Sequence, residues 1–561
     1  MADKRIIDFP ETTSPGADYF TVTDSASDGV RKLKPALPAT ATPLIEGTAA
    51  VGTSLKYARE DHVHPAAAGV NFVQAGTGAV TRTMQDKARD FVSILDFGAI
   101  GDGNIANAAV NATALTNALA TGKTVFIPYT ASGYHFGTNQ ITVGTGQRIV
   151  GESQVLLKST ATTSLFLLTG FDITSGIENI SIDMTGSGSS STAIRFHTSG
   201  ANNVFRVRLS KIRFANCVEA IGDDGGSNGV TDVIIDDIFS WLTRGRQIHI
   251  SASRGSLLLR SVIVDFTQNS SLVTYTGIQI DQFAGLELER VDVIGRGQGT
   301  PVYNSAVTGI VLGSLGAPNA SQALWLSRVF SDSGVGDGIL IQNTSYVFSY
   351  ALESSLTTGN GLTLLSVSNG TFVNTLVNGA AGQTGAASGG AGLIVNASTD
   401  NTFHGLVFAN CVGSGLNILA SSRNCFEGLI STNNGFGLAV QTTSAKNIVS
   451  GGSLNGNTTA VSLTATGGGN VVKDIAGYNP VGASNPTAGA SPWTYTAGFS
   501  PETLYIAAGG GTGSITQVTQ GGVSILPQAT ANNGNFTIQL GPNEAAVITY
   551  TGTLVAKKMV H

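Results

Sequence analysis

From residue 177 onward the apolar positions recur as a short motif: two of them three apart, then a third two further on. Ile177/Ile180/Ile182, Leu209/Ile212/Phe214, Ile235/Ile238/Ser240, Leu259/Val262/Val264, Leu288/Val291/Val293 and Leu326/Val329/Ser331 follow it, with a small serine replacing the third apolar residue in two of them. A second motif, a small residue and then alternating apolar positions, opens at Gly277, Gly309, Gly338 and Gly361, and again at Gly392, Gly415, Gly437 and Ala460. Toward the C-terminus the beat becomes regular. Asn401, Asn424, Asn447 and Asn470 lie 23 residues apart, and Phe403, Phe426, Val449 and Val472 each follow two positions later. Short alternating stretches broken by Gly, Asn and Ser argue for strands. Repetition at 20 to 30 residues argues for a solenoid, whose coils bury their apolar face only against neighbouring coils. The pattern therefore predicts an all-β fold, a right-handed single-stranded parallel β-helix over 138–477. Its asparagines should stack and pass amide hydrogen bonds from coil to coil.

The flanks differ. Residues 1–42 read as a small unit with a hairpin (DYFTVT, ASDG, then 30–33), and 43–87, rich in Ala, Thr, Gly and Pro, as an extended stem. Residues 88–137 read as a cap. A helix over Ala112 to Ala120, with Leu115 and Leu119 on one face, would cover the open end of the solenoid before the strand TVFIP. From 478 to 561 alternation with Gly, Pro and Asn turns predicts a C-terminal antiparallel β domain.

Composition narrows the function classes. With 72 Gly and 12% charged residues in 561, the chain has the economy of coils and turns around inward-facing strands. A net charge of −6 gives no general attraction for nucleic acid or anionic membrane. There is no run of about 18 apolar residues, so no membrane insertion is expected. The opening MADKRIIDFP lacks the apolar core of a signal peptide, so synthesis in a cytoplasm is expected. Cys217, Cys411 and Cys425 have no metal-site spacing and read as small buried apolar residues.

Aligning the motif places outward side chains in columns, and one column holds Asp183, Ala215, Trp241, Asp265, Ile294 and Asp332. Asp265 and Asp332, two coils apart, should be separated by roughly 9 to 10 Å. That is near the upper limit for an inverting glycosidase pair, about 6.5 to 9.5 Å. Trp241, one coil below Asp265, could stack on a sugar. An over-long coil loops out from Ile294 to Val307 with Arg296 and Tyr303, which could touch a ligand. Asp236, Arg260 and Glu289 form a −/+/− ladder of structural charges. His249 and His404 flank strand apolars; either could act as a lyase base, though both read as core or surface groups. Asp223-Asp224-Gly225 reads as a turn, and no Ser/His/Asp arrangement stands out. In the stem, His62 and His64 point the same way in an extended strand, so three chains on one axis would offer six imidazoles to a transition metal.

One stretch resembles a known family. Asp96-Phe97-Gly98-Ala99, Gly101-Asp102-Gly103, the Ala/Leu helix and GKTVFIP resemble the opening of pectate-lyase-superfamily β-helix proteins, common in bacteriophage tailspikes. Where that family has Asp-Asp-Thr before the helix, this chain has Asn111-Ala112-Thr113. KYAREDHVHP resembles a segment of phage tail fibres, and GYNPVG with SPWTYTAGFSPETLYI resembles a C-terminal module of phage tail proteins. The resemblance implies a homotrimeric tailspike in the virion, attached through its N-terminus to a phage tail or baseplate protein. It implies binding of bacterial surface polysaccharide (lipopolysaccharide O-antigen, capsule or exopolysaccharide). Cleavage would be endo-glycosidic, hydrolase ahead of lyase, and would need no cofactor; any metal would be structural, at the trimer axis. A non-enzymatic receptor-binding fibre and a bacterial pectate-lyase-like enzyme are the alternatives.

Overall fold

The computed structural model describes residues 71–561 apart from 171–174, 200–203, 227, 267–275, 296–307, 317–320, 333, 335, 380–389, 479–483, 527–533 and 561. It also describes the backbone of strands Phe20–Thr23, Val30–Leu33, Leu44–Gly47 and Val63–Pro65. The chain divides into two units, 1–91 and 92–561.

In the first unit Phe20–Thr23 and Val30–Leu33 pair antiparallel, as the hairpin pattern predicts. Leu44–Gly47 runs parallel to Val63–Pro65, and Asn71–Val73 pairs antiparallel with Thr81–Thr83. Helix Met84–Ala88 follows, capped by the Thr83 hydroxyl, which accepts from the Asp86 N–H at 3.0 Å. His62 lies outside the described residues and only the strand backbone of His64 is described, so the expected metal site lies outside them too.

The second unit is a parallel β-solenoid of about twelve turns. The three-then-two motif is a bent strand. In Gly176–Asp183, Ile177, Ile180 and Ile182 are buried, and Asn179 between the first two has a φ of 59°. Regular alternation would put inward residues two apart. One left-handed residue turns the strand through a corner and restarts the alternation, so the inward positions fall three apart. Lys211, Asp237, Ser261, Arg290 and Arg328 take the same conformation at the same place. Each costs about 1 to 2 kcal/mol for an L-residue, offset by pairing on both sides of the bend. Gly405, Gly428 and Gly451 occupy the corner in later coils.

Each coil thus presents three faces: the two arms of the bent strand, and a short third strand. Ile177, Leu209, Ile235, Leu259, Leu288 and Leu326 pair in that order up the solenoid, the predicted register. The small residue opening each third strand is a matter of space. A Cβ on Gly277 would come within 2.5 Å of Val293 Cγ1, and one on Gly309 would overlap Ser331 Oγ.

The asparagine stack forms as predicted. The Nδ2 groups of Asn401, Asn424 and Asn447 donate to Oδ1 of the next asparagine at 2.9, 3.0 and 3.0 Å. The same oxygens accept the backbone N–H of the preceding asparagine. The amides also donate to the carbonyls of Val367, Ser398, Ser421 and Ser444. All four residues are buried, and buried amides demand such saturation. Beside them Phe372, Phe403 and Phe426 stack at 4.8 and 4.5 Å. A second ladder, in which Asn434 and Asn457 accept from backbone N–H groups one coil before, was not foreseen.

The cap departs from expectation in two respects. The helix spans Ala108–Leu119, so Asn111-Ala112-Thr113 lies inside it. The buried Asn111 carboxamide works sideways, accepting from Ile100 N–H at 2.7 Å and donating to the Ile100 and His135 carbonyls at 3.1 Å. It pins the Gly-rich loop to the helix. The sheet also begins before 138, since Val92–Ser93 pairs with Val125–Ile127, which pairs with Arg148–Lys158. Leu115 and Leu119 are buried, as expected.

At the other end a five-stranded antiparallel sheet covers the last coil. Val472 N–H donates to the Phe499 carbonyl at 2.9 Å, the Ser500 hydroxyl to the Val472 carbonyl at 3.0 Å, and Asn543 Nδ2 to the Asn470 carbonyl at 2.6 Å. Among the described residues no helix is long and apolar enough to cross a membrane.

The ladder sets one expectation. Asn424→Ala leaves polar groups on both neighbouring coils unpaired in the core and should cost about 2 to 4 kcal/mol. Urea unfolding of the variant against the parent chain measures it; an unchanged midpoint contradicts the role given to the stack.

Candidate functional site

On the third-strand face, Arg195, Gly222, His249 and Gln279 pair in sequence and form one outward column. Gly222 leaves a gap in it. The Glu219 side chain folds into this gap, where a Cβ on Gly222 would overlap Glu219 Oε1. The result is an open cleft of about 560 Å³, lined among others by Arg195, Glu219, Asp223, Arg246, His249 and Gln279.

Glu219 Oε1 accepts from the Thr192 hydroxyl at 2.8 Å, and Oε2 lies 3.3 Å from Arg246 Nη2 and 4.0 Å from His249 Nδ1. Burial raises its pKa above the usual carboxyl value; the Thr192 bond and the charges of Arg246, His249 and Arg195 oppose that rise without cancelling it. His249 Nε2 lies 2.8 Å from Asp281 Oδ2. Burial works against the charge of Asp281, but the bonds from His249 and Gln279 outweigh it and hold this carboxyl below its usual value. A carboxylate only accepts, so Nε2 carries the proton and Nδ1 is the nitrogen that faces Glu219. Arg246 also reaches Gln279 Oε1 at 3.3 Å, and Arg195 donates to Thr192 Oγ1 at 2.8 Å. Asp223 accepts from Ser251 N–H and hydroxyl, both at 2.8 Å, and from Gly225 N–H at 3.1 Å, which ties it into the wall.

A carboxyl held toward its neutral form, beside an imidazole oriented by a carboxylate, is an arrangement for acid–base chemistry. A neighbouring cluster is not. His197 Nδ1 lies 2.6 Å from Asp224 Oδ2, and the Ser199 hydroxyl reaches that same nitrogen at 3.3 Å. A relay needs both ring nitrogens. Burial penalises Asp224, yet bonds from Thr198, Ser199 and His197 hold its pKa at about 2, so it is a fixed anion. Asp223 and Asp224 are thus more than the expected turn. Their partners Ser251 and His197 sit on neighbouring coils, more than 25 residues away.

The residues expected from the sequence lie on another face. Asp265, Ile294 and Asp332 pair directly in one column, as the alignment predicts, with both carboxylates half-buried. Trp241 pairs with Ala215 and is 41% exposed. Arg296 and Tyr303 fall within 296–307, outside the described residues. Asp292, between Ile263 and Phe330 on the coil between the two aspartates, has its pKa raised by burial and was not anticipated. Of the expected ladder, Arg260 binds Asp236 through two bonds, 3.0 and 2.8 Å, while Glu289, in register with Arg260, lies 3.6 Å from Arg290. His404 stays at the surface beside Glu427 at 3.1 Å. Cys217 and Cys411 are buried and Cys425 half-buried, all as free thiols. Among the described residues no three His, Cys, Asp or Glu side chains gather as metal ligands.

No family model and no curated protein matches the chain. Solved structures do. Tailspike protein 3 of bacteriophage CBA120 is 15% identical with a TM-score of 0.41, covering 76% of this chain and 70% of that one. A tailspike mutant of E. coli bacteriophage HK620, in complex with pentasaccharide, is 11% identical with a TM-score of 0.40, covering 88% and 98%. The A-module of mannuronan C-5 epimerase AlgE4 from Azotobacter vinelandii is 13% identical with a TM-score of 0.42, covering 69% and 98%. Phage tailspikes are among its structural neighbours. The parallel β-helix itself rests on the strand pairing of this chain.

The gap makes the cleft, so filling it should disable the cleft alone. In Gly222→Ala the added methyl displaces Glu219 from Thr192 and Arg246, while the melting temperature stays within about 4 °C because the position faces outward. A crystal structure and a thermal melt of the variant check both halves; an unmoved Glu219 contradicts the first.

Proposed function

We propose that this protein binds a bacterial surface polysaccharide along its third-strand face and cleaves it in the cleft at Gly222. Glu219 protonates the departing glycosidic oxygen, and His249, held by Asp281, is the base. The observation that carries this reading is the half-buried Glu219 carboxyl, raised in pKa, 4.0 Å from His249 Nδ1 in an open hollow. The segments resembling phage tail proteins at both ends support a tailspike, with three chains and an N-terminal attachment to the tail.

A second reading is endo-hydrolysis at the aspartate column. It is favoured by the shared register of Asp265 and Asp332 and by Asp292, held toward its neutral form between them. Polysaccharide cut by the parent chain and by single variants, sized by gel filtration, separates the two. Glu219→Gln should lower cleavage by at least about 100-fold and leave glycan binding intact, whereas Asp265→Asn and Asp332→Asn should cleave normally. Loss confined to the aspartate variants selects the second reading, and no cleavage by the parent chain supports a binding-only fibre.

Acidity gives a further test. Glu219 must be protonated to act, so cleavage should fall as pH rises through its pKa. Because burial raises that value, the fall comes at higher pH than for an ordinary carboxyl. A pH–rate profile whose descending limb persists unchanged in Glu219→Gln contradicts the assignment.

A further inference from the structure

Two features of the cleft are not used by acid–base catalysis in general: the closeness of its acid and base, and the two guanidinium groups flanking them. Hydrolytic pairs stand apart, about 5 to 5.5 Å for a covalent route and about 6.5 to 9.5 Å where a water must fit beneath the sugar. Glu219 and His249 are closer than either, at 4.0 Å. Two groups so close reach atoms on adjacent carbons and the same side of one sugar ring. Arg195 stands one coil before Gly222, and Arg246, three residues before His249, one coil after it. Both line the hollow that Gly222 leaves. The bonds of Arg246, to Glu219 and to Gln279, are each 3.3 Å long. A planar fork with donors to spare suits a carboxylate.

We infer that the cleft acts by β-elimination on an acidic sugar, whose carboxylate is taken up by Arg246 with Arg195 beside it. The inference rests on the proposed site at Glu219 and His249. His249 Nδ1 takes the proton from the carbon bearing the carboxylate, and that electron pair forms the carbon–carbon double bond. The neighbouring carbon–oxygen bond breaks, and the departing oxygen takes the proton of Glu219. No water, oxidant or metal enters the balance. The arginines act where negative charge develops, on the carboxylate of the carbanion-like transition state. Afterwards Glu219 is a carboxylate and His249 an imidazolium, and a proton passing between them across the cleft restores both. A bound sugar carboxylate also draws Arg246 away from Glu219, which favours the protonated acid.

The test uses the full chain and a panel of purified bacterial capsular polysaccharides, uronate-bearing and neutral, each uronate polymer also supplied with its carboxylates reduced to alcohols. Chain length and ultraviolet absorbance of the new ends are followed together. The expected result is cleavage of a uronate polymer with absorbing unsaturated ends, abolished by carboxyl reduction. Arg246→Gln should lower kcat on the order of 100-fold, with Arg246→Lys partly restoring it and both variants melting like the parent. Saturated ends, equal cleavage of the reduced polymer, cleavage of neutral polymers only, or of none, each overturn the inference. Saturated ends together with an inactive Glu219→Gln would keep the site and reject elimination. Full activity of Glu219→Gln would reject the site itself.

Discussion

The whole solenoid depends on the parallel register between its coils. Backbone pairing sets one spacing along the solenoid, roughly 4.8 Å per turn, and every inward or outward side chain inherits its neighbours from that spacing. The bend at one left-handed residue per coil keeps register on both arms of the strand at once. The asparagine ladder and the phenylalanine stack exploit the same regularity. Identical side chains one coil apart meet at nearly the distance a hydrogen bond or a ring stack requires.

That regularity also explains what was legible in the amino-acid sequence. The solenoid, the column of Asp265 and Asp332 and the stacked asparagines could be read because each is a periodic pattern, and period survives in one dimension. The corner ladder of Asn434 and Asn457 was missed although its spacing is the same. With two members it is too short to stand out. The start of the cap helix was misplaced because Asn111-Ala112-Thr113 stands where the resembled family has its residues before the helix, whereas the Asn111 amide works from inside the helix, bonding sideways to Ile100 and His135.

The cleft was hidden for a different reason. Glu219, His249 and Asp281 occupy different outward columns, and none repeats. What joins them is a glycine in the interior of a strand, in the sequence EAIGD, at a position that faces out. Interior strand glycines often mark close approach of another group, and this was the one available signal. Here the approaching group belongs to the same strand. His249 was considered as a base, but its partner Asp281 lies 32 residues on, beyond any local motif.

Gly222 has a consequence for how such a scaffold changes over evolutionary time. The hollow exists by subtraction: one coil lacks a side chain that its neighbours carry, while the backbone is undisturbed. Exchanging glycine for a larger residue there, and the reverse a turn away, would slide the pocket along the axis without altering a hydrogen bond of the frame. A chain built this way can retarget itself with a pair of substitutions, because the walls of each new hollow already stand in register on either side.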